Sequence, residues 1–524
     1  MKAYLFFLFS LVWFSWTSCA AQTVRIVHFL SETSGPLNGL KAVALAYSER
    51  IQDEEIVFEF QGISMEEYAK GLYGLLVSSN GPDMVQCFSA HAKEHGARLG
   101  QAVRLTAYLE GENKYSPGTT WKDLFEPSLL QDGEDVVYGD LWSLPFASAT
   151  ERIFVNMDLL QKCGLSVPKD WSSMLRCHEV LEEKGYIPCV MTGVPGARPP
   201  EWVLNNLQSM LWQNRVEGWD NRNRDGRVDR FELTVAILEG EFSLNDPEFL
   251  EPLRLLNGWA QYWQDNFQEE IPQTGLEKFI QGDVGFYLDT MTRYREIKRG
   301  VNDSFRIRVM PVPKVSRESS SFADGGYYEP SRGPGLFLTV PVSVERQRDR
   351  LIRTMDFLQF LTSKEGQEIM VREGHLLPAT LGIQLDPELD GFRRRIVGQH
   401  PIPNPFILFS EARKNWVEEG FRDDLLTNAW DPAKVREKMS PLLLEGAREL
   451  LAAEIQFLQR QQAYHRGAYA LLEIKSRAAR SNKDETVAKL IEDTKRRSWR
   501  HLEFKHDLLI YLRQANDRFS KEEK

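Results

Sequence analysis

Between positions 221 and 232 the sequence reads Asn221-Arg222-Asn223-Arg224-Asp225-Gly226-Arg227-Val228-Asp229-Arg230-Phe231-Glu232. Oxygen-bearing side chains alternate with others, a glycine stands at the middle, and a glutamate closes the run. A hard divalent cation such as calcium takes about six to eight oxygen ligands, and a backbone that wraps around it must aim every second side chain inwards. Asn221, Asn223 and Asp225 supply the first three oxygens, Arg227 offers its backbone carbonyl, Asp229 can hold a water, and Glu232 can bind with both oxygens. Gly226 permits the sharp turn and Val228 can pack inwards. Asn221 stands where an aspartate would add a charge, and Arg222, Arg224 and Arg227 crowd the loop with positive charge, so modest affinity is expected. The competing reading is a surface turn rich in Asn, Asp and Gly. If calcium binds, its role is structural, because a single extracellular site stays filled at millimolar calcium and cannot switch.

Helical patterns flank this run, residues 202–219 entering and 231–238 leaving, so the segment resembles an EF-hand calcium loop. Around it the chain alternates strand-like runs (residues 24–29, 56–60 and 83–87) with helical stretches (39–50 and 65–76). That rhythm predicts open, mainly parallel sheets with helices on both faces. Such sheets bind ligands beyond the C-terminal ends of their strands, here the loops after Phe29, Phe60 and Cys87.

At 524 residues the chain has room for two or three domains, and 42% hydrophobic with 27% charged residues is globular composition. A net charge of −11 argues against nucleic acid as a partner. At the N-terminus, Lys2 precedes an apolar run over residues 3–16, too short to span a bilayer, which reads as a signal peptide over residues 1–21. Ser18-Cys19 resembles a lipobox in which Cys19 is lipidated, with Trp16 at a position where Leu is usual; cleavage after Ala20 or Ala21 is the alternative. Setting Cys19 aside leaves Cys87, Cys163, Cys177 and Cys189. An even number permits disulfides in an exported chain, Cys177 and Cys189 being closest in sequence, and the alternative is four small buried hydrophobes.

Residues 144–171 bring a family into view. A small-residue run is followed by Glu151, then Asn156, a short helix pattern with Leu159, Gly164 and Leu165, and Pro168 leading to Trp171. This resembles the segment where extracellular solute-binding proteins of ABC importers, carbohydrate-associated family 1, cross from one lobe to the other; Val155 replaces the usual aromatic. Four further elements follow the family's order over about residues 24–446: Pro82-Asp83-Met84-Val85 at a strand, Phe279-Ile280-Gln281-Gly282-Asp283-Val284-Gly285-Phe286 at another, Phe357-Leu358-Gln359-Phe360-Leu361-Thr362-Ser363 on a helix, and Gly374-His375-Leu376-Leu377-Pro378 at its end.

The resemblance implies a two-lobed α/β fold of the periplasmic-binding-protein type II. Lobe one would hold residues 22–146 and 333–376, and lobe two residues 147–332 and 377–446, with hinges near Phe146, Gly333 to Leu336, and Leu377. It further implies that Phe88, Ser89, Trp142, Glu151, Asp289, Thr290, Tyr327, Tyr328 and Arg332, which sit on the family's cleft-lining loops, contact a small-molecule carbohydrate. Aromatic faces would stack on a sugar ring while carboxylates, amides and arginine take its hydroxyls; the 13 tryptophans fit that need, although most aromatics are core or surface-packing residues. The partners implied are a membrane permease and, through Cys19, the membrane itself, at the periplasmic or extracellular face. Two alternatives stay open: a lobe pair reporting to a membrane sensor, and a carbohydrate-active enzyme using Glu151 and Asp289 as its carboxylate pair. No catalytic elbow, zinc motif or phosphate loop appears, so a non-enzyme is expected.

Residues 447–524 lie beyond what the resemblance explains. Leu450, Ile455, Leu458, Leu471, Leu472 and Ile474 mark one amphipathic stretch, a polar turn falls at 481–484, and Val487, Leu490, Ile491, Trp499, Leu502, Leu508, Leu509 and Leu512 mark a second. The spacing predicts a two-helix hairpin whose apolar face must be covered by lobe two, a second copy or a partner.

Overall fold

The computed structural model describes residues 22–51, 56–135, 140–193, 199–222, 224, 226–326, 335–393, 402–481 and 485–522. Among these lie the strands β1 (Gln22–His28), β2 (Ile56–Gly62), β3 (Met84–Cys87), β4 (Leu144–Ser148), β5 (Glu151–Asn156), β6 (Ile187–Val190), β7 (Val284–Thr290), β8 (Ile307–Met310) and β9 (Gly335–Thr339). They form two sheets, ordered β2-β1-β3-β9-β4 and β6-β7-β5-β8, and the elements around each make one lobe.

Helices pack on the first sheet as the apolar periodicity requires. β3 is buried along its whole length, whereas the edge strand β2 alternates buried or half-buried with exposed residues. Sequence rhythm predicts mainly parallel sheets, and the structure corrects this. β1 runs parallel to β2 and β3, but β9 enters antiparallel between β3 and β4; in the second sheet only β6 and β7 are parallel. The reason is topological: β9 returns from the other lobe and so enters from the opposite end.

Three connections join the lobes. β4 belongs to the first sheet and β5, two residues later, to the second. β9 carries the chain back. The third crossing follows Leu377, which exchanges backbone hydrogen bonds with Ser148 (2.9 and 3.1 Å); Leu381 still bonds Leu124, and Phe392 then reaches Thr150 of the second lobe.

Lobe one contains a close helix contact that only glycine admits. The helix Gly35–Arg50 starts against the end of the helix Lys364–Gly374, and a Cβ on Gly35 would lie 2.1 Å from the Gly374 carbonyl oxygen. Gly35→Ala must push the two helices apart, at an expected cost of about 1–3 kcal/mol. An unchanged urea midpoint would show that the pair slides without resistance.

The C-terminal segment consists of two long helices, Pro432–Ser481 and Glu485–Glu522. The first runs unbroken through position 447, so the hairpin is an extension of a lobe-two helix. Leu458, Leu508, Leu509 and Leu512 are buried in the same core cluster as Leu233, Ile237 and Val435, so lobe two covers this face. Arg518 pairs with Glu239, which caps the C-terminal end of the helix Arg230–Leu238. Toward the turn the cover ends: Leu471, Ile474 and Trp499 are exposed.

Candidate functional site: the interlobe cleft and the 220–232 loop

A chamber of about 240 Å3 lies where the two lobes face each other. Lobe one contributes Phe29, Ser31 and Ser34 after β1, Gln86 and Phe88 around the end of β3, and Phe337 of β9; lobe two contributes Thr290, Thr292, Arg293 and Glu296 after β7. Thus the loops after Phe29 and Cys87 line the cleft, as the strand-end rule anticipates, whereas the loop after Phe60, on the edge strand β2, contributes no lining residue. The lobes touch here, for Thr33 Oγ1 of lobe one donates to Glu296 Oε1 of lobe two at 2.9 Å.

One wall is aromatic. Phe29 packs on Tyr68 (ring centroids 4.7 Å) and on Phe88 (5.1 Å). Phe88 keeps 37% of its surface exposed, which leaves an apolar ring edge available to a guest. Tyr68 holds the wall from behind: its hydroxyl bonds His91 Nδ1 at 2.9 Å and accepts from the Phe88 backbone N–H at 3.3 Å. Burial pushes the neighbouring Cys87 thiol up to about 12, so it is an inert packing group.

The facing wall is polar. Arg293 Nη1 donates to Glu296 Oε2 at 2.7 Å, and its Nε stands 3.9 Å from Asp289 Oδ2. Asp289 is buried beneath, taking the Tyr287 hydroxyl and the Thr290 backbone N–H (2.6 Å); burial raises its pKa from the ordinary value. Gln86 accepts the Phe29 N–H through Oε1 at 3.0 Å.

Of the residues picked from the sequence, Phe88 and Thr290 line the chamber and Asp289 backs it. Ser89 begins a short helix beside Phe88, outside the lining. Trp142 is half-buried, donates from Nε1 to Asp135 at 2.9 Å and packs beside the Tyr68–Cys87 cluster. Tyr327, Tyr328 and Arg332 lie outside the described residues, as does Cys19. Glu151 and Asp289 do not face each other. Glu151 is opposite Thr290 and Arg152 opposite Asp289 across the β5–β7 ladder, so the two carboxylates project from opposite faces of one sheet. The glycosidase pair is thereby undone.

Sequence reading missed Gln86, Thr292, Arg293 and Glu296. Arg293 and Glu296 are three apart on one helical turn after β7, and that spacing of opposite charges was the available signal. Core packing accounts for several of the tryptophans, as is usual for aromatics: Trp121, Trp171, Trp212, Trp259 and Trp416 are fully buried. Trp259 packs edge-on against Trp171 and donates to His178, which burial holds neutral with a pKa of about 3. Cys87, Cys163, Cys177 and Cys189 are free and buried.

The second feature is the 220–232 loop. Two left-handed residues, Arg224 (φ 53°) and Gly226 (φ 82°), curl its backbone tightly. Asp229 caps the helix Arg230–Leu238, accepting from Phe231 and Glu232 at 2.8 and 2.9 Å. Glu232, 1% exposed, folds back to accept the N–H groups of Asp229 (2.9 Å) and Arg222 (3.1 Å), and burial pushes its pKa up to about 7. The Arg222 guanidinium lies 2.7 Å from Asp229 Oδ2, and Asp220 accepts the Gly226 N–H at 2.6 Å. Outward, Tyr511 of the hairpin donates to Asn221 Oδ1 at 2.7 Å, and Arg227 reaches Gln131 of lobe one at 2.6 Å. Asn223 and Asp225 lie outside the described residues, and among the described ones no three His, Cys, Asp or Glu side chains are grouped to hold a metal. No helix of the described residues is long and apolar enough to cross a membrane.

Comparison with known proteins bears on this geometry. The sn-glycerol-3-phosphate-binding periplasmic protein UgpB of Yersinia enterocolitica is 21% identical over 402 residues, covering 74% of this chain and 83% of that protein. Its counterpart from Escherichia coli strain K12 is 19% identical over 449 residues, covering 82% and 93%. Among solved structures, a chitin oligosaccharide binding protein superposes with a TM-score of 0.58 at 17% identity, over 82% of this chain and 99% of that one. The solute-binding protein RafE in complex with raffinose reaches 0.56 at 15% identity, over 81% and 99%. These structures share the two-lobed fold. A family model described as bacterial extracellular solute-binding protein matches residues 54–391, and with two lobes closing on one cleft the chain belongs to that family.

Proposed function

We propose that this protein captures a carbohydrate outside the cytoplasmic membrane and delivers it to the permease of an ABC importer. The supporting observation is the cleft itself, in which the half-open Phe88 ring on one lobe faces Thr290, Arg293 and Glu296 on the other. A sugar presents the matching pair of surfaces, an apolar ring face and a rim of hydroxyls. Ligand would favour the closed form because only that form contacts it from both lobes. The permease would read the closed shape, and a separate ATPase would supply energy, since the chain carries no nucleotide motif.

A thermal-shift screen over mono- and oligosaccharides tests this reading. At least one sugar should raise the melting temperature, with about 2.7 kcal/mol of added stability at a hundred times its dissociation constant. Phe88→Ala should weaken that ligand about tenfold through loss of ring contact. Silence across the screen would redirect attention to peptides or to a sensor role.

Calcium in the 220–232 loop belongs to the same proposal. The curled backbone at Arg224 and Gly226 and the buried, inward-turned Glu232 support it. Asn221, Asn223, Asp225, the Arg227 carbonyl, Asp229 and Glu232 would hold the ion, which would add positive charge beside a buried carboxylate. Lipidation of Cys19 would tether the protein to the membrane, and mass spectrometry of the mature N-terminus decides between that and simple cleavage.

A further inference from the structure

We propose that the distal half of the C-terminal hairpin lies on an anionic phospholipid surface, through the outward face of the helix Pro432–Ser481. This contact goes beyond solute capture and uses no residue of the cleft.

The seam between the two hairpin helices fixes which face points outward. Tyr469 packs on Trp499 with ring centroids 5.5 Å apart, Ser476 donates to Glu492 at 2.6 Å, and Glu473 pairs with Lys495. At about 3.6 residues per turn, the positions turned away from 469, 473 and 476 are 463, 467, 471, 474 and 478. They hold Ala463, Gly467, Leu471, Ile474 and Ala478, all exposed. Leu471 and Ile474 keep 53% and 65% of their surface open, and a Cβ on Gly467 would meet nothing within 4 Å. The face is an apolar stripe about four turns long that nothing among the described residues covers.

Charge identifies what does cover it. From 460 to 481 the helix carries Arg460, Arg466, Lys475, Arg477 and Arg480, all exposed, against one acid, Glu473, which Lys495 and Arg477 already engage. This basic segment belongs to a chain of net charge −11. By the same helical geometry Lys475 flanks the stripe on one side, and Arg466 and Arg477 flank it on the other. Their aliphatic stems can then lie along a bilayer while the heads reach lipid phosphates. A twofold contact with a second copy fits worse, because it sets the same surface on both partners and would press one cationic face against another. No described helix is long and apolar enough to cross a membrane, so the contact is interfacial. A membrane surface is at hand for a chain of the extracellular solute-binding family.

Vesicle sedimentation tests the proposal on the chain from Gln22 onward, where β1 and the described fold begin, so that neither leader nor lipid anchor contributes. The probes are vesicles of phosphatidylcholine alone and of an equal mixture with phosphatidylglycerol. The chain is expected to sediment with the mixed vesicles and not with the neutral ones, and to come off in about 1 M salt. Leu471→Gln with Ile474→Gln should weaken partitioning about tenfold. Lys475→Glu with Arg477→Glu should weaken it about 25-fold or more, since each cation near an anionic bilayer strengthens binding about fivefold. Both pairs alter exposed side chains, and an unchanged melting curve shows that each folds; should one fail to fold, the other decides. Sedimentation with neither vesicle, equal sedimentation with both, or variants that bind as tightly as the parent would each overturn the proposal. A dimer in analytical ultracentrifugation that Leu471→Gln with Ile474→Gln dissolves would assign the stripe to a second copy and overturn it as well. No solute enters these measurements, so their outcome is independent of the carbohydrate reading.

Discussion

Replacing Glu201 with alanine is expected to destabilise the protein by about 3–5 kcal/mol. Glu201, on the helix Pro199–Trp212, and Arg422, on the helix Phe421–Thr427, are each about 1% exposed. Arg422 Nη1 approaches both Glu201 oxygens, at 3.0 and 3.3 Å, its Nε reaches Asp423 at 2.7 Å, and its Nη2 donates to the Gly193 carbonyl. Asp423 remains in the variant, but it is partly exposed and compensates the guanidinium incompletely. The cost comes from a buried charge left short of its partner, so the double variant Glu201→Met with Arg422→Met should recover most of it. Urea unfolding reads both. A loss under about 1 kcal/mol for Glu201→Ala would mean that water reaches Arg422 once the glutamate is gone.

The second large effect is a pH-dependent stability that the proposed calcium ion is expected to invert. Without metal, Glu232 has a folded-state pKa of about 7 against an ordinary 4.5, with burial as the first cause. A raised folded value means that the folded chain prefers the protonated acid. Its favourable contribution is complete below about pH 4.5 and disappears as pH climbs through 7, a swing of about 3 kcal/mol. If the loop takes calcium as proposed, the ion would bind only the carboxylate, so it should help little at pH 5 and most at pH 8. Melting curves at both values, with millimolar calcium or with chelator, give the comparison. Glu232→Gln should flatten the metal-free profile and abolish the calcium response. A wild-type protein that melts identically with and without calcium at pH 8 would return the segment to an ordinary capped turn.

The same loop ties three bodies together. Asn221 takes the Tyr511 hydroxyl from the hairpin, Arg227 meets Gln131 of lobe one, and Glu232 opens a lobe-two helix. Its alternating oxygens were plain in the sequence, because such a loop is contiguous and its spacing follows from backbone geometry alone. That it would touch lobe one and the hairpin was not, since Gln131 and Tyr511 lie far away in the chain and carry no local mark.

A similar division runs through the whole molecule. Amino-acid order alone determined the two lobes, the strand-end loops after Phe29 and Cys87 that line the interlobe cleft, and the amphipathic hairpin, because each is written in short-range periodicity or in motif order. Only the tertiary structure decided that β9 enters antiparallel, that five tryptophans belong to cores, and that Glu151 and Asp289 project from opposite faces of one sheet. It also decided that Arg293 and Glu296 confront Phe88 across the cleft. The physical reason is that the chamber's charge and volume arise where loops from distant strands converge when the lobes meet, and convergence depends on how two separately packed bodies dock, a property that no local stretch of residues encodes.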